Sequence, residues 1–279
     1  MRPVVLLASS LALSAVAARG QLHVGAYEFA SFGASFGVDE DRVRGMDADY
    51  FFRSAGVEAA PRLRELIDAS EVYSMVCENP MLRVDVSLRD RAKELRLGLY
   101  GIVNRLDGIS HFGGSGYYDL ETVGHELGLE GAHLWRSNRW RHVHAYGGAG
   151  VQLGYGFGTK LHGYTSATST LEDISFRANG GDVVSNQQLE DTYVGYDDYG
   201  QFDVPNALHG RAFAVAGLAF DICDRLEFNT EGRFGYGFRQ NAEAGAATQL
   251  RSWTMGLRWN VRTPEELGTW ETAPAGAWY

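Results

Sequence analysis

Apolar and polar residues alternate one by one along several segments of the chain. The clearest segment is LEFNTEGRFGYGF, which runs from Leu226 to Phe238. Its even-numbered positions are mostly leucine, phenylalanine and tyrosine, whereas the odd-numbered positions include Glu227, Glu231 and Arg233. Because successive side chains of a β-strand point to opposite faces, this pattern predicts a strand with one apolar and one charged face.

The same alternation recurs often enough to predict about eight strands in all. The other segments are Leu22–Phe36, MLRVDVSLR from Met81, ELRLGLYGIV from Glu94, VGHELGLEGAHLW from Val123, RHVHAYGGAGVQLGYGF from Arg141, AFAVAGLAFDI from Ala212 and SWTMGLRWNV from Ser252.

The connections between these segments alternate between short and long. The short ones are Arg89–Lys93, Arg136–Arg139 and Cys223–Arg225. The long ones are Gly37–Glu78, Asp107–Tyr118, Thr165–Leu208 and Gln240–Thr248. This regular asymmetry predicts an antiparallel up-and-down meander with its turns at one end and its loops at the other.

Charged or titratable residues occupy the second face of almost every predicted strand. They are Arg83, Asp85, Arg96, Glu126, Glu130, His142, His144, Glu227, Glu231, Arg233 and Arg258. The one helical pattern, PRLRELIDA from Pro61 to Ala69, is too short to cover the apolar faces. A closed transmembrane β-barrel solves this problem, because lipid then covers the apolar face and the charges pair inside. Leu97, Leu129, Val151, Phe228 and Leu257 are expected to contact lipid.

The N-terminus has the features of a secretory signal peptide. A positive start, MRP, precedes the apolar stretch Val4–Ala17, which ends in the small-x-small site Ala15–Ala17. We therefore expect residues 1–20 to be a signal peptide, residues 21–261 the barrel and residues 262–279 a periplasmic tail.

In these features the chain resembles the small eight-stranded outer-membrane barrels of Gram-negative bacteria, the OmpA/OmpX type and the related outer-membrane protein β-barrel families. The resemblance rests on the signal peptide, the alternating segments, the turn and loop asymmetry and the aromatic closing strand WTMGLRWNV from Trp253 to Val261. It implies an all-β, porin-like wall in the outer membrane, with outer-membrane lipids and the barrel-insertion machinery as partners. One departure is the segment Arg262–Tyr279, which follows the closing strand.

The predicted role is structural or surface-interacting rather than enzymatic. Eight strands leave an interior that side chains can fill, so paired charges should plug it. Loops 37–78 and 165–208 are the expected contacts for a surface ligand, and Gln188–Val204 is acidic and rich in tyrosine. The net charge of −10 argues against a nucleic-acid partner. No catalytic residue and no cofactor are predicted.

Two kinds of chemistry remain as alternatives. His142 and His144, with Glu126 or Glu130 across the hairpin, could bind a metal, although a hydrogen-bonded interior pair is the preferred interpretation. Ser110 and His111 leave open a lipid A or phospholipid deacylase, although no acidic partner is marked. A soluble secreted barrel with an internal ligand is a third, more distant interpretation.

The two cysteines are expected to be free thiols. Cys223 falls in a short turn and Cys77 falls at the other end of the barrel, roughly 25 Å away. A disulfide requires Cα atoms within about 7 Å.

Overall fold

A computed structural model describes residues 23–24, 26–44, 48–59, 71–74, 78–113, 116–140, 142–167, 175–178, 183–185, 197–241 and 244–261. The predicted signal peptide, the C-terminal tail and the predicted helix Pro61–Ala69 lie outside these residues, as does Cys77.

Eight antiparallel strands form a closed barrel, as the sequence predicts. They are β1 (Tyr27–Arg44), β2 (Asn79–Asp90), β3 (Lys93–Gly113), β4 (Gly116–Arg136), β5 (Val143–Ala167), β6 (Ala207–Cys223), β7 (Leu226–Gln240) and β8 (Gly245–Asn260). Each strand pairs with the next along the chain. The last strand pairs with the first, from Ala247 opposite Arg44 to Asn260 opposite Ser31, which closes the ring.

The two ends of the barrel have different connections. At the end that we call the turn end, residues 91–92, 137–142 and 224–225 join consecutive strands. At the opposite end, the loop end, residues 45–78 and 168–206 form long connections, whereas residues 114–115 and 241–244 are short.

Two of the four predicted loops are therefore much shorter than predicted. Most of Asp107–Tyr118 belongs to β3 and β4, and β8 begins at Gly245, inside the predicted loop Gln240–Thr248. β1 also continues to Arg44, well past Phe36. Strand pairing satisfies the backbone hydrogen bonds of these polar segments, so the loss of apolar alternation does not end the strands.

The strands project past the apolar wall at the loop end, where further elements join them. Glu71–Ser74 pairs with β3, and Asp197–Val204 pairs with β5. Val57–Ala59, Ser175–Ala178 and Val183–Ser185 form a separate small sheet.

A short helix, α1 (Ala48–Ala55), lies at this end, with Tyr50 and Ser54 facing the interior residues Arg105 and Arg239. It packs against β4, β5 and the strand Asp197–Val204, and it buries Tyr50, Phe51 and Phe52. No helix in the described part of the chain is long and apolar enough to cross a membrane.

The outer surface of the barrel is a continuous apolar belt. Leu97, Leu129, Val151 and Leu257 expose 45%, 60%, 61% and 49% of their surface, and Phe228 is partly exposed. Tryptophans lie toward both ends of the belt. An apolar outside around a charged inside is the arrangement of a barrel that spans a membrane, the outer-membrane type.

Cys223, at the turn end, is exposed and free.

Candidate functional site in the barrel interior

The inward faces of the strands hold equal numbers of opposite charges. Nine arginines and nine carboxylates are buried among the described residues, with no buried lysine. Arginine suits this role because its planar guanidinium can bind two carboxylates at once and loses less hydration than an ammonium group. These side chains fall into two clusters at different heights.

The larger group, the turn-end cluster, has six arginines and five carboxylates. Its members are Arg83, Asp85, Arg89, Glu94, Arg96, Glu130, Arg136, Glu227, Glu231, Arg233 and Arg258.

Glu231 and Glu130 organise the middle of the turn-end cluster. Glu231 accepts hydrogen bonds from Arg83 at 2.8 Å, from Arg96 at 2.5 Å and from Arg233 at 2.7 Å. Arg233 also binds both oxygens of Glu130, at 2.5 and 2.6 Å. These residues come from β2, β3, β4 and β7, so their ion pairs connect strands on opposite sides of the ring.

Glu94 organises the part of the turn-end cluster nearest the turns. Its carboxylate lies 2.6 Å from Arg258, 2.8 Å from Arg136 and 3.2 Å from both Arg89 and Arg96. Four guanidinium groups on one carboxylate make Glu94 the most connected anion among the described residues.

Among the described residues, the group that comes nearest to a metal site lies beside this region. One potential ligand atom each from His144, Asp221 and Glu227 lies within 4.8 Å of the others. Arginines already hold all three, since Arg136 contacts both His144 and Glu227, and Arg139 contacts Asp221. A divalent cation would have to displace two positive side chains, which argues against metal binding.

The smaller group, the loop-end cluster, has three arginines and four carboxylates. Its members are Asp39, Asp41, Arg105, Asp107, Glu126, Arg211 and Arg239, with His209 beside them.

Glu126 is the centre of the loop-end cluster. It accepts hydrogen bonds from Arg105 at 2.5 Å and from Arg211 at 3.1 Å. His209 Nδ1 lies 2.7 Å from the same carboxylate, and the Tyr100 hydroxyl donates to it at 2.6 Å.

Asp39 is the exception in the loop-end cluster. Neither of its carboxylate oxygens has a hydrogen-bond partner, although the residue is fully buried. The nearest guanidinium atoms are Arg105 Nη1 at 3.7 Å and Arg211 Nη1 at 4.0 Å. The surplus carboxylate of this cluster is thus held only by longer-range attraction.

One amide links the two clusters. Gln152 donates to Glu130 at 3.0 Å and accepts from Arg211 at 3.4 Å. The Tyr100 ring fills the space beside this link because Gly128 and Gly154 face it. A Cβ atom on either glycine would lie 2.4 Å from Tyr100.

Helix α1 lies above the loop-end cluster. The Asn241 side chain donates to the Ser54 carbonyl at 3.1 Å, which ties the helix to the end of β7. A cavity of only about 40 Å³ separates Tyr50 and Ser54 from Arg105 and Arg239.

Most of the side chains predicted to face inward lie in these clusters, but His142 does not. It is exposed in the turn before β5, so the predicted pairing of His142 with His144 on one strand is wrong. β5 begins at Val143, and His142 lies in the turn before it, where Trp140 and Val143 form a bridge. His144 is buried, but it lies beside Glu227 rather than Glu126 or Glu130.

The sequence interpretation missed Glu94 and most of the loop-end cluster. Glu94 lies two residues before Arg96, so the alternation of faces along the strand already predicts that both side chains point inward. Arg105 and Asp107 gave no such signal. A bulge between Ile102 and Arg105 shifts the alternation by one residue and turns odd-numbered side chains inward.

Ser110 and His111 belong to a strand rather than to a glycine-rich loop. Their backbones pair with Asp119 and Tyr118 of β4.

No family model and no curated protein matches the chain. Among solved structures, it is similar to Neisserial surface protein A, with 9% identity and a TM-score of 0.35 over 82% of this chain and 96% of that chain. It is also similar to Ail, the attachment invasion locus protein of Yersinia pestis, with 10% identity and a TM-score of 0.33 over 83% and 98%. The outer-membrane protein OprG from Pseudomonas aeruginosa aligns with 9% identity and a TM-score of 0.36 over 83% and 94%. The strand pairing of this chain itself establishes the barrel fold.

Proposed function

We propose that the chain is a non-conducting outer-membrane barrel with a structural or surface-interaction role. The observation that carries this proposal is the charge balance of the interior, where nine buried arginines face nine buried carboxylates. Ion pairs that cross the barrel occupy the path that an ion would need, and α1 covers the loop end. Outer-membrane lipids surround the belt, and the barrel-insertion machinery is the expected assembly partner.

A non-catalytic role agrees with the state of the buried carboxylates in the turn-end cluster. Every carboxylate of the turn-end cluster lies within 3.0 Å of an arginine nitrogen. Such anions are held as ion-pair partners and are poor general bases. Phospholipid vesicles carrying the protein should therefore release no fatty acid.

Planar-bilayer recording tests the closed interior. The wild type should show no steady ion conductance. A matched variant with Glu130→Ser and Arg233→Ser keeps the charge balance but removes two central side chains, so it should conduct more than the wild type. Steady conductance through the wild type would contradict the proposal.

The role at the cell surface depends on orientation. The turns of outer-membrane barrels face the periplasm, so loops 37–78 and 165–208 should lie outside and offer the surface for a ligand. Protease added to whole cells should cut these loops. Cleavage at Arg136–Arg139 in intact cells would reverse the orientation.

A further inference from the structure

Asp39 receives no hydrogen bond from the nearby arginines because these donate to other carboxylates. Arg105 donates from Nη1 to Glu126 and from Nη2 to Asp41, both at 2.5 Å. Arg211 donates from Nη2 to the same two carboxylates, both at 3.1 Å. The two guanidinium groups approach Asp39 only to 3.7 and 4.0 Å. Asp39 is thus a fully buried carboxylate without a donor.

The strands on either side of β1 bring no positive charge to Asp39. Asp39 lies opposite Ser252 of β8 and Asn79 of β2. The Ser252 hydroxyl oxygen is buried and makes no hydrogen bond either. The Asn79 side chain is bonded to the backbone of Leu106, to its carbonyl at 3.3 Å and to its amide at 2.7 Å. Neither neighbour neutralises the carboxylate.

The charged groups that surround Asp39 leave one negative charge unbalanced. Together with Asp39, the loop-end cluster has four carboxylates for three guanidinium groups. The titratable and charged side chains of this region, with the strands that carry them, are Asp41 of β1, Tyr100, Arg105 and Asp107 of β3, Glu126 of β4, His209 and Arg211 of β6, and Arg239 of β7.

His209 does not supply the missing positive charge. Its Nδ1 lies 2.7 Å from Glu126, and a neutral imidazole can donate this hydrogen bond as well as a charged one. Arg105 and Arg211 already bind the same carboxylate, and their charge opposes a further positive charge on the imidazole. The unbalanced charge therefore stays on the carboxylate side of the cluster.

We infer that Asp39 is a proton-binding site, and that proton uptake there balances the loop-end cluster and tightens this end of the barrel in a mildly acidic medium. A buried carboxylate without donors favours its neutral form, and a bound proton leaves three charged carboxylates for three arginines. A metal cation is a poorer occupant because Arg105 and Arg211 lie within 4.0 Å of the carboxylate and would repel it.

Proton uptake at Asp39 makes the stability of the barrel depend on pH with a defined sign. An aspartate in an unfolded chain has a pKa of about 3.9. Above that value, the folded state binds a proton at Asp39 that the unfolded chain does not bind, so stability rises as the pH falls. One proton changes the folding equilibrium constant by up to about tenfold per pH unit. The gain is absent where Asp39 is ionised in both states.

Urea titration of the mature protein in lipid vesicles, between about pH 8 and pH 5, tests the site. Asp39→Asn keeps the shape of a protonated carboxyl group but does not titrate. The folding constant of the wild type, divided by that of Asp39→Asn, should rise as the pH falls, by up to about tenfold per pH unit. Asp203→Asn removes an exposed carboxylate at the loop end and is the control, for which the same ratio should stay constant.

Two further measurements assign the proton to Asp39. His209→Gln removes the other group that could take it up and should retain the pH dependence of the wild type. Infrared difference spectra of the folded wild type should show the C=O stretching band of a protonated carboxyl group on acidification, and Asp39→Asn should lack this band.

A constant ratio between the wild type and Asp39→Asn would overturn the inference, as would the absence of the carboxyl band from the wild type. Loss of the pH dependence in His209→Gln alone would place the proton on His209 and contradict it equally. None of these results would bear on the closed interior, which the conductance recordings test separately.

Discussion

The turn-end and loop-end clusters share one barrel and one chemistry, but they differ in how completely their charges are paired. In the turn-end cluster each carboxylate has at least one arginine nitrogen within 3.0 Å, and Glu94 has four arginine partners. In the loop-end cluster, Asp39 has no hydrogen bond. The turn-end cluster has one arginine more than its carboxylates, and the loop-end cluster has one fewer.

This difference follows from what surrounds each cluster. The turn-end cluster lies inside the apolar belt, where an unpaired charge has no access to water and costs several kcal/mol. The loop-end cluster lies where the outward face becomes polar, since Glu40 and Arg42 follow Val38 on that face of β1. Strict pairing is therefore required at membrane depth and relaxes where the barrel leaves the lipid.

The largest effect is expected at Glu94. Glu94→Gln removes the one negative charge that four arginines share, and it should lower the free energy of unfolding by about 3–5 kcal/mol. Urea titration of the protein in lipid vesicles measures this value. Glu78→Gln, which changes an exposed carboxylate at the loop end, is the control and should have little effect. A loss below 1 kcal/mol for Glu94→Gln would mean that the turn-end cluster is not a tightly paired network.

The alternation of residues made the barrel predictable, but it did not reveal the difference between the two clusters. The face to which a strand residue points depends only on its place in the local alternation. Arg83, Glu130 and Glu231 could therefore be assigned to the inward face from the sequence. Which of these side chains are in contact depends on how far neighbouring strands are shifted along one another around the ring. The alternation within one strand carries no information about this shift. Arg105 shows a second limit of prediction from the alternation. The bulge before it exchanges the inward and outward positions of the strand, and no apolar residue pattern in the sequence marks this bulge.

The outer wall offers a second test, with a smaller expected effect. Leu257 faces outward within the belt, and Arg251 occupies the same face of β8 nearer the loop end. Leu257→Arg should lower the free energy of unfolding in bilayers by about 2–4 kcal/mol, because lipid cannot solvate the guanidinium. Leu257→Val keeps the site apolar and is the control. If Leu257→Arg is as stable as the parent, the assignment of the two faces is wrong.

The smallest effect is expected at Asp39, and it tests the comparison directly. Asp39→Asn removes the surplus negative charge of the loop-end cluster without breaking a hydrogen bond, so stability should change by less than about 1 kcal/mol or should rise. Glu126→Gln in the same cluster is the matched comparison. It weakens charge-assisted hydrogen bonds from Arg105 and Arg211 and should cost several kcal/mol. Both variants are measured by urea titration in the same vesicles. If Asp39→Asn costs as much as Glu126→Gln, Asp39 is a full member of the paired network, and the relaxed pairing at the loop end has to be abandoned.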